Sequence, residues 1–208
     1  SLDNTAIIIN NFQDKRIKLF TNSTNSGEIF SFNRAITLSK NNYIFLSDQD
    51  DVWIEGRVNL MKSSLMDNDL MLSTSNFSWI DGDDIPISVL HDGVSSMRSD
   101  KHTQNIIDIF KGKTNYFGCA MAFKREFIST ICPIPSFVES HDLWIAIASN
   151  CLKSNLHLDD ITFLKRKHDS NVTSTISKRS IARKLFSRII FILSVFVISK
   201  RILLKIKL

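Results

Sequence analysis

Tyr43-Ile44-Phe45-Leu46-Ser47-Asp48-Gln49-Asp50-Asp51-Val52-Trp53 is a short apolar run that ends abruptly in carboxylates. The run reads as a buried strand, and a strand that delivers Asp48, Asp50 and Asp51 to its carboxyl end puts negative charge where open α/β sheets bind ligands. Such a cluster is costly without a cation. Oxygen donors of this kind suit Mg2+ or Mn2+, and a metal held by one or two carboxylates usually shares its other positions with substrate phosphates. The pattern therefore points to nucleotide-diphosphate chemistry. Read more plainly, Asp-Gln-Asp-Asp is a solvated turn, since Asp bonds its own backbone there and caps helices. A calcium loop of the EF-hand kind is excluded. Counting from Asp48, the sixth position is Trp53 where glycine is needed, and the twelfth is Asn59 where a bidentate Glu is needed.

On either side of this stretch the apolar spacing alternates between the two regular periods. Ile17-Lys18-Leu19-Phe20 predicts a strand, and Gly27 to Leu38 a helix with Ile29, Phe32, Ala35 and Ile36 on one face. Downstream, Arg57 to Met66 predicts a helix, Leu70 to Trp79 a strand with Ser and Thr interspersed, and Asp81-Gly82 a turn. Ile87 to Lys101 is polar and reads as a loop. Beyond it the spacing predicts a helix near Gln104 to Phe110, a strand over Gly118 to Phe123, a helix over Asp142 to Leu152 and a strand over Ile161 to Lys167. This order predicts an α/β fold, a mainly parallel sheet flanked by helices, with ligands at the carboxyl ends of its strands.

At 208 residues, 43% hydrophobic and 23% charged, the chain can bury one sizeable core. Its net charge of +5 is unevenly spread: residues 170 to 208 hold nine Lys or Arg and no acid, leaving −4 for residues 1 to 169. We therefore divide the chain at the charge boundary, with the α/β domain over 1–175 and a basic amphipathic tail over 176–208. Within the tail, Ile189 to Ser199 is an uncharged run of eleven residues, well short of the roughly 20 that span a bilayer as a helix. Cations flanking an apolar stretch with Phe186, Phe191 and Phe196 fit a helix lying at an anionic membrane surface. A core or oligomer-interface helix with snorkelling Lys and Arg stems is the alternative. Nucleic acid is excluded as a partner, because the cations alternate with bulky aliphatics and the rest of the chain is acidic. Cys119, Cys132 and Cys151 lack any C-x-x-C spacing, so neither a disulfide framework nor a zinc site is indicated.

Taken with three later segments, the acidic stretch resembles a known family. Ser47-Asp48-Gln49-Asp50-Asp51-Val52-Trp53, Gly118-Cys119-Ala120-Met121-Ala122-Phe123, Ser140-His141-Asp142-Leu143-Trp144-Ile145-Ala146 and Arg166-Lys167-His168-Asp169-Ser170-Asn171-Val172-Thr173 occur in the order found in family 2 glycosyltransferases, especially the bacterial rhamnosyltransferase-like branch that builds surface polysaccharides. Four ordered motifs are specific where one would be weak. The family normally opens with a βαβ unit that holds the nucleotide base, then an acidic motif whose tail Ser1-Leu2-Asp3-Asn4-Thr5 resembles. The resemblance therefore implies that the chain is the later part of a longer protein.

The resemblance also implies a GT-A type fold and transfer of a sugar, rhamnose by resemblance alone, from a nucleotide-diphosphate donor to a glycan or lipid-linked glycan acceptor. That work would take place at the inner face of a bacterial plasma membrane. In that frame Asp50, helped by Asp48, holds Mg2+ or Mn2+. Arg166 and His168 bind the donor diphosphate, and Asp142 is the base that takes the acceptor proton. Trp53, Gly118 and Trp144 are candidate contacts to sugar or acceptor. Read without the resemblance, Asp142 also suits a helix cap or a partner for the helix dipole. Lys165, Arg166 and Lys167 read as surface cations, and Asn171 as a turn residue. Two rival functions use the same residues: a metal-dependent nucleotidyl or phosphoryl transferase, and a membrane-associated remnant without activity.

Overall fold

A computed structural model of the chain describes residues 3–89, 93–113, 116–167 and 180–206. Helix α1 (Thr5–Asn11) starts where Asp3 accepts hydrogen bonds from the Thr5 backbone and hydroxyl. It buries none of its residues. Residues 17–20 form no strand, and Ile17, Leu19 and Phe20 stay exposed. Alternation there gave the right period, but no neighbouring strand is present among the described residues to take up its backbone bonds.

From α2 (Glu28–Leu38) onward the chain packs. Strands β1 (Tyr43–Phe45) and β2 (Val52–Trp53) bracket the acidic stretch, and α3 (Arg57–Asp67) follows Gly56, whose φ of 84° suits glycine at a helix entry. Strand β3 (Leu72–Ile80) is buried on both faces, which is why its Ser and Thr residues must pair. Ser73 bonds Ser64 at 3.0 Å and Ser75 bonds Thr162 at 2.6 Å. Strand β4 (Pro86–Ile87) ends where the predicted loop of residues 87–101 begins, and that loop holds a 3-10 turn at Ser96–Arg98. Then come α4 (His102–Lys111), β5 (Met121–Lys124), α5 (Ile128–Ile131), α6 (His141–Cys151), β6 (Asn155–Arg166) and α7 (Ile181–Ile206).

The sheet order is β1-β5-β3-β6-β2, with β4 on the far part of β3. The α/β class with flanking helices is as expected. Strand direction is not: only β3 and β6 run parallel, and the other pairings among the described residues are antiparallel. Alternation of strand and helix shows that a crossover separates two strands, but β5 enters between β1 and β3 against both. β6 also begins earlier than the sequence predicts. Asp159 and Asp160 lie exposed where the β3–β6 register shifts around Asn76, and the strand passes through them.

Helix α3 covers one face of the sheet through Met61 and Leu65 against Ala122. The main core fills the other face, where Leu72, Met121 and Phe123 meet Trp144, Ile145 and Ala148 of α6. Helix α7 packs on α5 and α6, with Ile190, Ser194 and Ile198 buried. Arg201 donates to the Thr130 carbonyl at 2.9 Å and the Pro133 carbonyl at 2.6 Å. Its opposite face leaves Leu185, Ile189, Ile192, Phe196 and Leu203 exposed. No helix among the described residues is long and apolar enough to cross a membrane.

Candidate active site

The carboxyl end of β1 delivers the acidic stretch to the carboxyl ends of β3 and β6. The Leu46 backbone N–H still bonds the Met121 carbonyl at 3.2 Å, and the chain then turns outward. Asp48, Asp51 and Cys119 converge there, with one donor atom of each within 4.8 Å of the others. Lys165 of β6 stands among them. Its Nζ lies 3.4 Å from Asp48 Oδ2, 3.7 Å from Asp51 Oδ2 and 3.7 Å from Cys119 Sγ.

The electrostatics of this group are unresolved in a specific way. Burial raises the Asp51 carboxyl above the usual range, Lys165 opposes this, and Asp51 Oδ2 has no hydrogen-bond partner. Burial works against the Lys165 charge, but the carboxylates of Asp51 and Asp48 oppose it and the ammonium pKa is held above its ordinary value. Burial pushes the Cys119 thiol far up, so it is a neutral neighbour rather than a thiolate ligand. Two convergent carboxylates, one with an orphaned buried oxygen, fit a hard divalent cation. Asp50 is half-buried. Its carbonyl accepts from Arg166 Nε at 3.2 Å, and its carboxylate is not one of the three converging donors.

Arg166 closes β6 beside this group. Its backbone N–H bonds Asp51 Oδ1 at 3.3 Å, and its guanidinium reaches the Asp81 carbonyl at 3.0 Å and pairs with Asp84 at 2.6 Å. His168 and Asn171 lie outside the described residues. Under the site, Arg57 is 2% exposed. It donates to Thr162 Oγ1 and, at 2.5 Å, to the Cys119 carbonyl, with the Trp53 ring 4.9 Å and the Phe163 ring 5.0 Å from its guanidinium. Burial lowers its pKa to about 10. Trp53 is thus half-exposed at the rim and stacked over an arginine.

The amino end of α6 forms the other wall. Ser140, not Asp142, caps the helix: its hydroxyl oxygen accepts from the Leu143 N–H at 3.3 Å and also donates to Asp142. Asp142 sits in the first turn, where its Oδ1 accepts from the Leu143 N–H at 2.8 Å. Burial raises its pKa to about 6, with Glu28 adding to the rise and backbone N–H groups of Leu143 and Gly118 opposing it. His141 stacks on Phe32 with centroids 3.9 Å apart and meets Glu28 through Nδ1 at 3.1 Å. Burial lowers its pKa to about 4. Gly118 leaves room for that ring, because a Cβ there would stand 2.6 Å from His141 Nε2. The close approach of the His141 ring thus requires a glycine here.

Asp48, Gly118, Asp142 and Arg166 are therefore brought to one end of the sheet. Trp144 is not: it is 1% exposed, its indole N–H bonds the Ile131 carbonyl at 2.8 Å, and it has no face open to a sugar. Trp144 is two residues on from Asp142, about 200° round the helix axis, so it projects from the opposite side of α6, which is why the same motif supplies one site residue and one core residue. Sequence reasoning missed Lys165, Arg57, Glu28 and His141. The signal for Lys165 was present, since it is two residues from buried Phe163 and so on the same strand face.

With this geometry in place, comparison with known proteins becomes decisive. The family model described as Glycosyl transferase family 2 matches residues 1–132. The chain belongs to glycosyl transferase family 2. A curated Escherichia coli member, described as the UDP-Glc:alpha-D-GlcNAc-diphosphoundecaprenol beta-1,3-glucosyltransferase WfgD, is 31% identical over 85 residues, which is 41% of this chain and 34% of that protein. The fold matches the crystal structure of S. aureus TarS 1-349 in complex with UDP-GlcNAc with a TM-score of 0.65 at 15% identity. That match covers 93% of this chain and 55% of the TarS chain. The chain thus spans about a third of the curated relative and about half of the solved structure.

Proposed function

We propose that the chain carries the catalytic part of an inverting glycosyltransferase, moving a sugar from a nucleotide-diphosphate donor to a hydroxyl of a surface-glycan acceptor. The observation that carries this reading is Asp142. Its pKa of about 6 keeps it largely ionised at neutral pH, yet basic enough to take a proton efficiently. It faces the same end of the sheet as the Asp48, Asp51 and Lys165 group.

In this reading Asp48 and Asp51, the two converging carboxylates, would hold Mg2+ or Mn2+ beside the donor diphosphate, with Asp50 a further ligand expected from the motif and Arg166 and His168 on the diphosphate oxygens. A divalent ion held there would neutralise charge on the departing nucleoside diphosphate. Asp142 removes the acceptor hydroxyl proton as that oxygen attacks the anomeric carbon from the face opposite the leaving group. Configuration therefore inverts. Trp53, at the rim, offers an apolar face to a sugar ring. The donor is a UDP or dTDP sugar: UDP is the nucleotide in the names of both relatives, and dTDP-rhamnose follows from the rhamnosyltransferase-like motifs.

A lipid-linked acceptor of O-antigen or capsule type fits the second face of α7. Leu185, Ile189, Ile192, Phe196 and Leu203 are exposed beside Arg183, Lys184 and Lys200, which suits peripheral binding at the anionic inner face of a bacterial plasma membrane. The chain would then meet a membrane-held substrate at raised local concentration. Product analysis tests the whole reading. Incubation of UDP- and dTDP-sugars with a polyprenyl-diphosphate glycan should release nucleoside diphosphate and form a glycosidic bond of inverted configuration by NMR. Release of nucleoside monophosphate or diphosphate exchange would favour a nucleotidyl or phosphoryl transferase. Vesicle binding without nucleotide binding would favour the inactive remnant.

A further inference from the structure

The carboxylate group at the carboxyl end of the sheet already contains a cation, and it is a side chain. Lys165 is 7% exposed, an unusual burial for lysine unless it is paired. Its Nζ is shared among Asp48, Asp51 and Cys119 at 3.4 to 3.7 Å, rather than seated in one short ion pair. Asp51 has a fully buried side chain, and its Oδ2, aimed at that ammonium, makes no hydrogen bond. This is the geometry of a counter-charge that neutralises the pocket without satisfying it. A hard cation would bond such an oxygen at about 2.0–2.1 Å. A divalent ion seated on Asp48 and Asp51 would then lie within a few ångströms of Nζ, where like charges repel strongly at low effective dielectric. The two cations cannot hold the same carboxylates together. Lysine can yield: its charge is a point at the end of a flexible four-carbon stem, and Phe117 offers a ring 5.5 Å from Nζ along the way.

We propose that Lys165 is the resident counter-cation of this site, holding Asp48 and Asp51 in the ligand-free protein and competing with a divalent metal ion for them. A divalent ion held by these carboxylates would displace the ammonium from them. This rests on reading the cluster as the donor site, but its test uses metal alone.

Mn2+ binding without nucleotide is measured by calorimetry on the protein and on Lys165→Met, which keeps length and removes charge, with Lys165→Arg as a charge-retaining control. Lys165→Met should bind Mn2+ at least about tenfold more tightly, as removal of a like charge at this distance requires. Lys165→Arg should bind no more tightly than the unaltered protein. In chelator, Lys165→Met should melt at a lower temperature and recover more on adding Mn2+. Equal or weaker Mn2+ binding by Lys165→Met, or no binding to either, overturns the proposal.

Should Lys165→Met fail to fold, amine labelling of the unaltered protein decides. Acylation of Lys165, read by mass spectrometry, should rise at saturating Mn2+; unchanged labelling overturns the proposal equally. A Mn2+-dependent response to UDP or dTDP, measured in parallel, belongs to the donor reading and can survive this failure.

Discussion

Strands β3 and β6 carry a buried polar cluster at each end, and the two are built to opposite standards. At the amino end, opposite Thr74, His157 uses both ring nitrogens: Nδ1 meets the Ser95 carbonyl at 3.2 Å, while Nε2 meets Tyr116 Oη at 2.8 Å and Asn155 Nδ2 at 3.2 Å. Asn150 then joins Tyr116 to Asn105. At the carboxyl end, opposite Trp79, Lys165 is shared loosely, and Asp51 Oδ2, Arg57 Nε and His141 Nε2 have no hydrogen-bond partner, whereas at the amino end Thr74 Oγ1 is left without one. A more fully paired network fixes a core, whereas a concentration of unmatched buried groups costs stability and persists where a ligand completes them. The first cluster is framework and the second is the proposed donor site.

Four experiments break or sharpen that contrast. The largest effect is expected at Asp142. Asp142→Asn should lower sugar transfer by about 10^2- to 10^4-fold, the range for loss of a positioned base, with no loss of melting temperature, since it removes a buried charge. Comparable stability loss and unchanged turnover would assign Asp142 to the framework.

His157→Leu should do the reverse. Leaving the Tyr116 O–H and the Asn155 N–H without their shared acceptor and the Ser95 carbonyl without its donor should cost about 1–3 kcal/mol in denaturant unfolding, with nucleotide affinity of the folded protein retained. Gly118→Ala lies between the two, because the added methyl must displace the His141 ring. We expect about 1–3 kcal/mol of overpacking cost together with reduced transfer, measured by unfolding and by kcat.

The smallest effect is a pH dependence with opposed signs. His157 and His141 have folded pKa values of about 4, below the unfolded value, so the unfolded chain binds more protons between about 6.5 and 4. Stability should fall as pH falls through that window. Asp142, raised to about 6, binds its proton in the folded state first and opposes the loss. Asp142→Asn should therefore steepen the acid limb of a stability profile and His157→Leu should flatten it.

What was legible in the sequence divides along the same line. Period and motif order located α2, β1, α3, β3, α6 and the basic helix, and the acidic stretch announced its own end of the sheet. Strand direction was not legible, because β5 antiparallel to β1 and β3 is a long-range choice that local spacing does not encode. Nor was β6's full length, because two adjacent carboxylates, Asp159 and Asp160, interrupt its apolar run and only the β3 register shift places them outward. In the site, carboxylates were easy to find and their neutralisers were not. Lys165 and Arg57 look like ordinary surface cations until the sheet and α3 bury them. Trp144 shows the converse error: a motif residue near the chemistry in sequence turned out to be core.

The central claim, that the carboxyl-end cluster is a nucleotide-sugar donor site, is tested most directly by thermal stabilisation with UDP, dTDP and GDP, each with and without Mn2+, on the protein and on Asp48→Ala. At a hundred times its dissociation constant, a nucleotide should stabilise the protein by about 2.7 kcal/mol. We expect a Mn2+-dependent response to UDP or dTDP that Asp48→Ala abolishes. No response to any nucleotide, or one that Asp48→Ala leaves intact, would contradict it.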